Sequence, residues 1–159
     1  MKFISNSLEE TEKIANDFVG SLYIGNSYGA TVVGLYGDLG AGKTTLTQMI
    51  AKSFGVSDTV TSPTFVIMKI YELKHLVDSS QHLGKKFDHL VHIDAYRLES
   101  GEELLHLGWK EIISDPKNLI LIEWPERVAD IMPEHVKISL KTLENPNSRE
   151  LDIVGYGSV

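Results

Sequence analysis

The chain has 159 residues, the size of one domain, and its 42% hydrophobic and 23% charged residues are globular proportions that argue against wholesale disorder. Fifteen Lys and Arg against 22 Asp and Glu give a formal charge of −7, with Lys85-Lys86 the only adjacent basic pair, so the chain is a poor stand-alone binder of nucleic acid. It contains no cysteine, which excludes a disulfide scaffold, a thiol nucleophile and Cys-ligated metal, and no apolar run reaches the roughly 18 residues of a membrane helix, so the expectation is one soluble, cytoplasmic domain over residues 1–159 with no membrane partner.

In chain order, Ser7-Leu8-Glu9-Glu10 reads as a capping box, and Leu8, Thr11, Ala15, Phe18 and Leu22 follow on one helical face. Tyr23–Gly29 is a loop by composition. Thr31–Tyr36 is a short β-branched run, hence a buried strand; a glycine-rich loop follows. From Thr44 a helical period places Leu46, Met49, Ile50 and Phe54 together, with Gly55 as the stop. Phe65–Tyr71 is the next strand candidate, and Leu90–Asp94 another, ending in a carboxylate. Glu72–Asp88 between them is a long polar excursion. Ser100-Gly101-Glu102-Glu103 predicts a second capping box opening a short helix that stops at Gly108. Leu119–Ile122 is continuously apolar, as for a strand covered on both faces, and it also runs into an acid, Glu123. The alternating segments Val136–Leu140 and Glu150–Val154, joined through an Asn-Pro-Asn-Ser turn, predict a hairpin with one wet face. Early strand–helix units followed by alternating strands predict a three-layer α/β/α domain. Its sheet is parallel at the centre and antiparallel at the edge.

Gly37-Asp38-Leu39-Gly40-Ala41-Gly42-Lys43-Thr44 satisfies G-x-x-x-x-G-K-[ST], and strand and helix flank it as the motif requires. Glycines let the backbone wrap a phosphate group with its N–H groups turned inward. The helix that follows adds the positive end of its dipole. Lys43 supplies a cation for the phosphates, and the Thr44 hydroxyl is a hard oxygen ligand for Mg²⁺. A chance match in a chain this long is expected about once in 200 sequences, which makes the motif the dominant signal. Two further strands end in acids, Asp94 and Glu123, at the sheet edge where such a loop lies. Each is a candidate Mg²⁺ ligand or water-orienting group. Thr61, Ser62 and Thr64 around Pro63 are candidates for a segment that senses the terminal phosphate, although Ser/Thr/Pro clusters are more often plain loops. Arg97 is open to a phosphate contact or a surface ion pair. Trp124 could pack beside a nucleotide, line a partner surface or fill the core. The seven-residue recurrence of His75, His82 and His89 reads as coincidence. No H-E-x-x-H and no G-x-S-x-G occurs, so neither a zincin nor a serine-hydrolase triad has an anchor.

GDLGAGKTT (37–45), TSPTF (61–65), HIDAYRL (92–98), EELL (102–105) with Gly108, and IEWP (122–125) occur in that order. Together they resemble the TsaE family, also called YjeE, from about Ser7 to Val154. The resemblance implies an ATPase that binds and slowly hydrolyses ATP with Mg²⁺. It implies the TsaB–TsaD complex as protein partner in modifying adenosine 37 of tRNAs that read ANN codons, with ATP turnover resetting that complex. It places Gly37 to Thr45 on the phosphates, Thr44 and Glu123 at the metal, and Asp94 in hydrolysis. Thr61, Ser62 and Thr64 become the switch-like segment, and Thr11, with Glu10 and the Ser148-Arg149 turn, approaches the adenine. The excursion between Ile70 and Leu90 is longer than the family usually carries. An acidic protein in a tRNA pathway is expected to dock on proteins and meet tRNA only indirectly. Two rivals remain: a small-molecule kinase, weakened by the lack of an obvious basic lid, and an adaptor that needs ATP binding alone.

Overall fold

The structure is a computed structural model that describes residues 1–22, 29–56, 60–63, 65–73 and 87–155. The expected loop at 23–28, most of the polar excursion (74–86, with His75 and His82) and Thr64 lie outside these residues. Twelve elements follow in order: β1 (Lys2–Ser5), α1 (Leu8–Ser21), β2 (Thr31–Tyr36), α2 (Lys43–Ser53), β3 (Met68–Glu72), β4 (His89–Asp94), α3 (Glu102–His106), α4 (Trp109–Ser114), β5 (Asn118–Glu123), a 3₁₀ turn (Pro125–Val128), β6 (Val136–Thr142) and β7 (Arg149–Val154).

Seven strands form one sheet in the order β1-β7-β6-β2-β5-β4-β3. The central pairs β6–β2, β2–β5 and β5–β4 are parallel, and the outer pairs β1–β7, β7–β6 and β4–β3 are antiparallel. This is the predicted mixed sheet. Strand β5 explains the layering: all six residues are buried, because Leu119 and Leu121 enter one core while Ile120 and Ile122 enter another. The first core takes Ala15 and Phe18 from α1 and Leu46 and Ile50 from α2; the second takes Leu104, Trp109 and Val128 from α3, α4 and the 3₁₀ turn. A continuous apolar run is what a strand with helices on both faces needs.

The first helix begins as its sequence requires. The Ser7 hydroxyl accepts from the Glu10 N–H at 3.2 Å, while the Glu10 carboxylate reaches one residue further back, accepting from the Asn6 N–H at 2.7 Å. Of the predicted face, Thr11, Ala15, Phe18 and Leu22 are buried, but Leu8 is exposed at the first turn.

Two local expectations are corrected and two elements are added. The strand foreseen from Phe65 begins only at Met68, because the Pro63 carbonyl accepts from the N–H groups of both Val66 and Ile67 and closes a turn. Phe65 is 86% exposed as a result, and Ile67 takes a left-handed φ of 66°. The helix at 102 has no side-chain cap from Ser100; Gly101 occupies the cap position, and the Asp130 carboxylate accepts from its N–H at 3.0 Å. That helix stops at Gly108 as predicted, but α4 follows immediately, its apolar residues too few to show a period. The strand Lys2–Ser5 was not foreseen at all, being four residues long and mostly exposed.

A Cβ on Gly101 would lie 2.4 to 2.8 Å from three carbons of the Ile131 side chain. Alanine in a compatible backbone ordinarily stabilises by about 0.4–1 kcal/mol. Here a β-branched neighbour cannot swing aside, and overpacking costs about 1–3 kcal/mol. Gly101→Ala is therefore predicted to lower stability by about 1 kcal/mol or more in urea unfolding; an unchanged or raised midpoint would contradict the packing described.

Candidate functional site

Parallel neighbours align their C-terminal ends, so β2, β5 and β4 deliver their next residues to one edge of the sheet. Asp94 is the register partner of Glu123, and Glu123 that of Leu35, two residues before Gly37. The loop 37–42, both predicted acids and the N-terminus of α2 thus converge without any long-range coincidence.

Gly37 sits at φ 141°, and a Cβ there would lie 2.4 Å from the Leu140 carbonyl oxygen, so the turn out of β2 admits only glycine. Asp38, Leu39 and Gly40 form the exposed crest, and Ala41 is buried. Gly42, at φ 104°, caps α2 with no side chain competing for its first amides. Those N–H groups carry the positive end of the helix dipole.

Lys43 is 5% exposed. Its ammonium donates to the carbonyls of Gly37 at 2.5 Å and Asp38 at 2.9 Å, and lies 3.9 Å from the centre of the Trp124 ring. Burial pushes its pKa down, opposed by the carboxylates of Glu123, Glu126, Asp94 and Asp38. Trp124 adopts φ 60°, uncommon for a bulky residue. That turn brings its ring under Lys43 and beside Tyr96, with ring centres 5.0 Å apart. Trp124 is half-buried against the second core while its face meets Lys43.

Thr44 donates its hydroxyl to both carboxylate oxygens of Glu123, each at 3.0 Å. Glu123 is 3% exposed and also lies 2.9 Å from Nε2 of His92, which is fully buried. Asp94 accepts from the Ser62 hydroxyl at 2.9 Å and from the Tyr96 N–H at 3.0 Å. Ser62 therefore belongs to the site, whereas the Thr61 hydroxyl accepts from Lys69 at 2.7 Å on the surface. The guanidinium of Arg97 lies 4.7 Å over the exposed Phe65 ring. Among the described residues no group of three or more His, Asp and Glu could hold a metal ion. A hydroxyl–carboxylate pair with a second acid one strand away fits a different kind of ion. Mg²⁺ takes one or two protein oxygens and fills its octahedron from water and phosphate.

Beside the loop, away from the acids, is a cavity of about 410 Å³. Its walls include Ser7 and Thr11 from the start of α1, Ala41 and Thr45 from the phosphate-loop segment, and Asn147 and Arg149 from the β6–β7 turn. Two contacts tie these walls together: Ser148 donates to the Asn6 side-chain oxygen at 2.9 Å, and Arg149 Nε donates to the Ala41 carbonyl at 3.1 Å. Thr11 hydrogen-bonds Ser5 and the Ser7 carbonyl, while Glu10, busy with Asn6, does not line the cavity.

Sequence reasoning quoted His92 in a motif and gave it no part in the site. The available signal was a polar ring inside the run Leu90-Val91-His92-Ile93, on the same strand face as Asp94.

Comparison with known proteins agrees with this geometry. The family model for threonylcarbamoyl adenosine biosynthesis protein TsaE matches residues 5–151. The tRNA threonylcarbamoyladenosine biosynthesis protein TsaE of Rickettsia bellii is 36% identical over 144 residues, covering 89% of this chain and 87% of the relative. That of Treponema pallidum is 34% identical over 154 residues, covering 96% and 99%. The crystal structure of Bacillus subtilis YdiB superposes with a TM-score of 0.71 at 28% identity, covering 99% of this chain and 86% of that one. Loop, acids and sheet order thus occur in a sequence that matches its relatives almost end to end, and the chain belongs to the TsaE family of tRNA threonylcarbamoyladenosine biosynthesis.

Proposed function

We propose that this chain is a Mg²⁺-dependent P-loop ATPase, weak alone, that serves threonylcarbamoyl modification of adenosine 37 by acting on the TsaB–TsaD complex. The observation that carries the reading is the single edge on which the loop 37–42, Lys43, Thr44, Glu123 and Asp94 converge. The cavity beside the loop has room for a base and ribose once the phosphates lie against the α2 N-terminus.

In this reading the loop amides of Gly40 to Thr45 and the Lys43 ammonium hold the phosphate tail. Lys43 exchanges its two carbonyl partners for phosphate oxygens, and the Trp124 face keeps it in place. Thr44 and Glu123 would hold the Mg²⁺, directly or through water. When bound, that ion neutralises charge developing between the β- and γ-phosphates. Asp94, clamped by Ser62 and the Tyr96 amide, turns its carboxylate to a water aimed at the γ-phosphorus. Because Ser62 belongs to the 61–64 segment, the presence of the γ-phosphate can be passed to the protein surface there. Arg97 rests on Phe65 and is the candidate for an arginine finger, and turnover in isolation is expected to be slow. A net charge of −7 suits docking on protein partners with tRNA met only through them. No specific observation favours a kinase.

Lys43→Ala is predicted to weaken ATP binding about 100-fold, as expected for losing two charge-assisted contacts; calorimetry showing undiminished affinity would remove the phosphate-loop assignment. Asp94→Asn is predicted to keep ATP affinity within about threefold and to cut hydrolysis about 100-fold or more; equal turnover would deny Asp94 its role and favour the adaptor reading. With purified partner proteins, a non-hydrolysable ATP analogue is predicted to allow about one modified tRNA per complex, against many with ATP; equal yields would argue against resetting.

A further inference from the structure

The buried ring of His92 has no part in the scheme above, yet it touches the acid at its centre. It sits in β4 with 0% exposure, facing the core that holds α2. Nε2 lies 2.9 Å from Glu123 Oε1, and Nδ1 has no hydrogen-bond partner among the described residues. An ionised carboxylate only accepts hydrogen bonds. The Thr44 hydroxyl already donates to both Glu123 oxygens, so the short His92 contact requires a proton on Nε2. The contact therefore places a fixed N–H donor at Nε2, facing Glu123 Oε1.

A buried imidazole with one idle nitrogen is a poor core residue; leucine would fill the site without that desolvation penalty. What the imidazole contributes is a fixed donor on one oxygen of Glu123. The carboxylate can then neither rotate about its terminal bond nor withdraw from Thr44. Such outer partners orient metal-ligating groups and tune their affinity.

We propose that His92 is a positioning residue: its Nε2–H locks the Glu123 carboxylate toward Thr44, and through that lock it sets how strongly Mg²⁺ tightens nucleotide binding. The inference rests on the proposed Mg–ATP reading of the site. It predicts that His92 affects the metal-dependent part of the affinity and leaves the metal-free part alone.

The test measures ATP affinity by calorimetry in EDTA and in Mg²⁺ for the wild type, His92→Leu and His92→Gln. His92→Leu is expected to bind like the wild type in EDTA and to lose about tenfold of the gain from Mg²⁺, the scale of outer-partner effects on metal affinity. His92→Gln, whose amide nitrogen can reach the Nε2 position, is expected to restore most of it. A folded His92→Leu protein with the full Mg²⁺ gain would overturn the proposal and leave the nucleotide reading intact. A wild type without any Mg²⁺ gain would overturn the metal reading and this inference together. If His92→Leu does not fold, nitrogen-15 NMR of the histidines in the unaltered protein decides. A proton on Nε2 supports the lock; a bare Nε2 overturns it.

Discussion

A threonine hydroxyl shared between the two oxygens of a buried carboxylate joins the first residues of α2 to the last residue of β5. Most of the architecture around the loop can be understood as a means of making that contact. Glu123 is 3% exposed, a costly position for a charge without partners. Its desolvation is offset by donors from two elements, Thr44 from the helix and His92 from the neighbouring strand. His92 would be out of reach if β4 and β5 were out of parallel register, since the pairing of Asp94 with Glu123 fixes both strand ends together; the pairing of Leu35 with Glu123 likewise sets the end of β2, from which the loop leads to Thr44. The sheet acts here as an alignment frame: the five other buried residues of β5 hold its terminal acid at a set height beside the helix N-terminus.

The loop itself is constrained from the opposite side. The Leu140 carbonyl of β6 crowds Gly37, and Arg149 of β7 grips the Ala41 carbonyl. The shape of the glycine-rich turn is thus dictated by the C-terminal hairpin as much as by the glycines. The same hairpin supplies one wall of the adjoining cavity.

The legible parts of the sequence were those with a strong local signal. The run of four apolar residues before Glu123, the glycine loop and the Ser7 cap all declared themselves, because buried parallel strands, left-handed turns and capped helix starts each restrict residue type within a few positions. The site acids could be found by the same logic, since both end such strands. Less legible were elements whose stability comes from elsewhere in the chain. Lys2–Ser5 is a strand only because β7 offers an edge, and Gly101 takes its cap from Asp130, 29 positions away. At Phe65 a β-prone composition yielded to the Pro63 turn, leaving an aromatic ring outside to carry Arg97. His92 escaped notice because its partner lies on another strand, a relation that spacing along one chain does not encode.

The strand at the sheet margin has a bearing on the order of folding. Among the described residues β1 pairs with β7 alone, Lys2 opposite Asp152, so it acquires a ladder only from a segment far along the chain. Closing so long a loop is entropically expensive, and ordering of the start of the chain comes late. Asn6 depends on that event, because its partner Ser148 sits at the foot of β7. The inner strands can therefore shape the acid-lined edge well before the neighbouring recess gains its final wall.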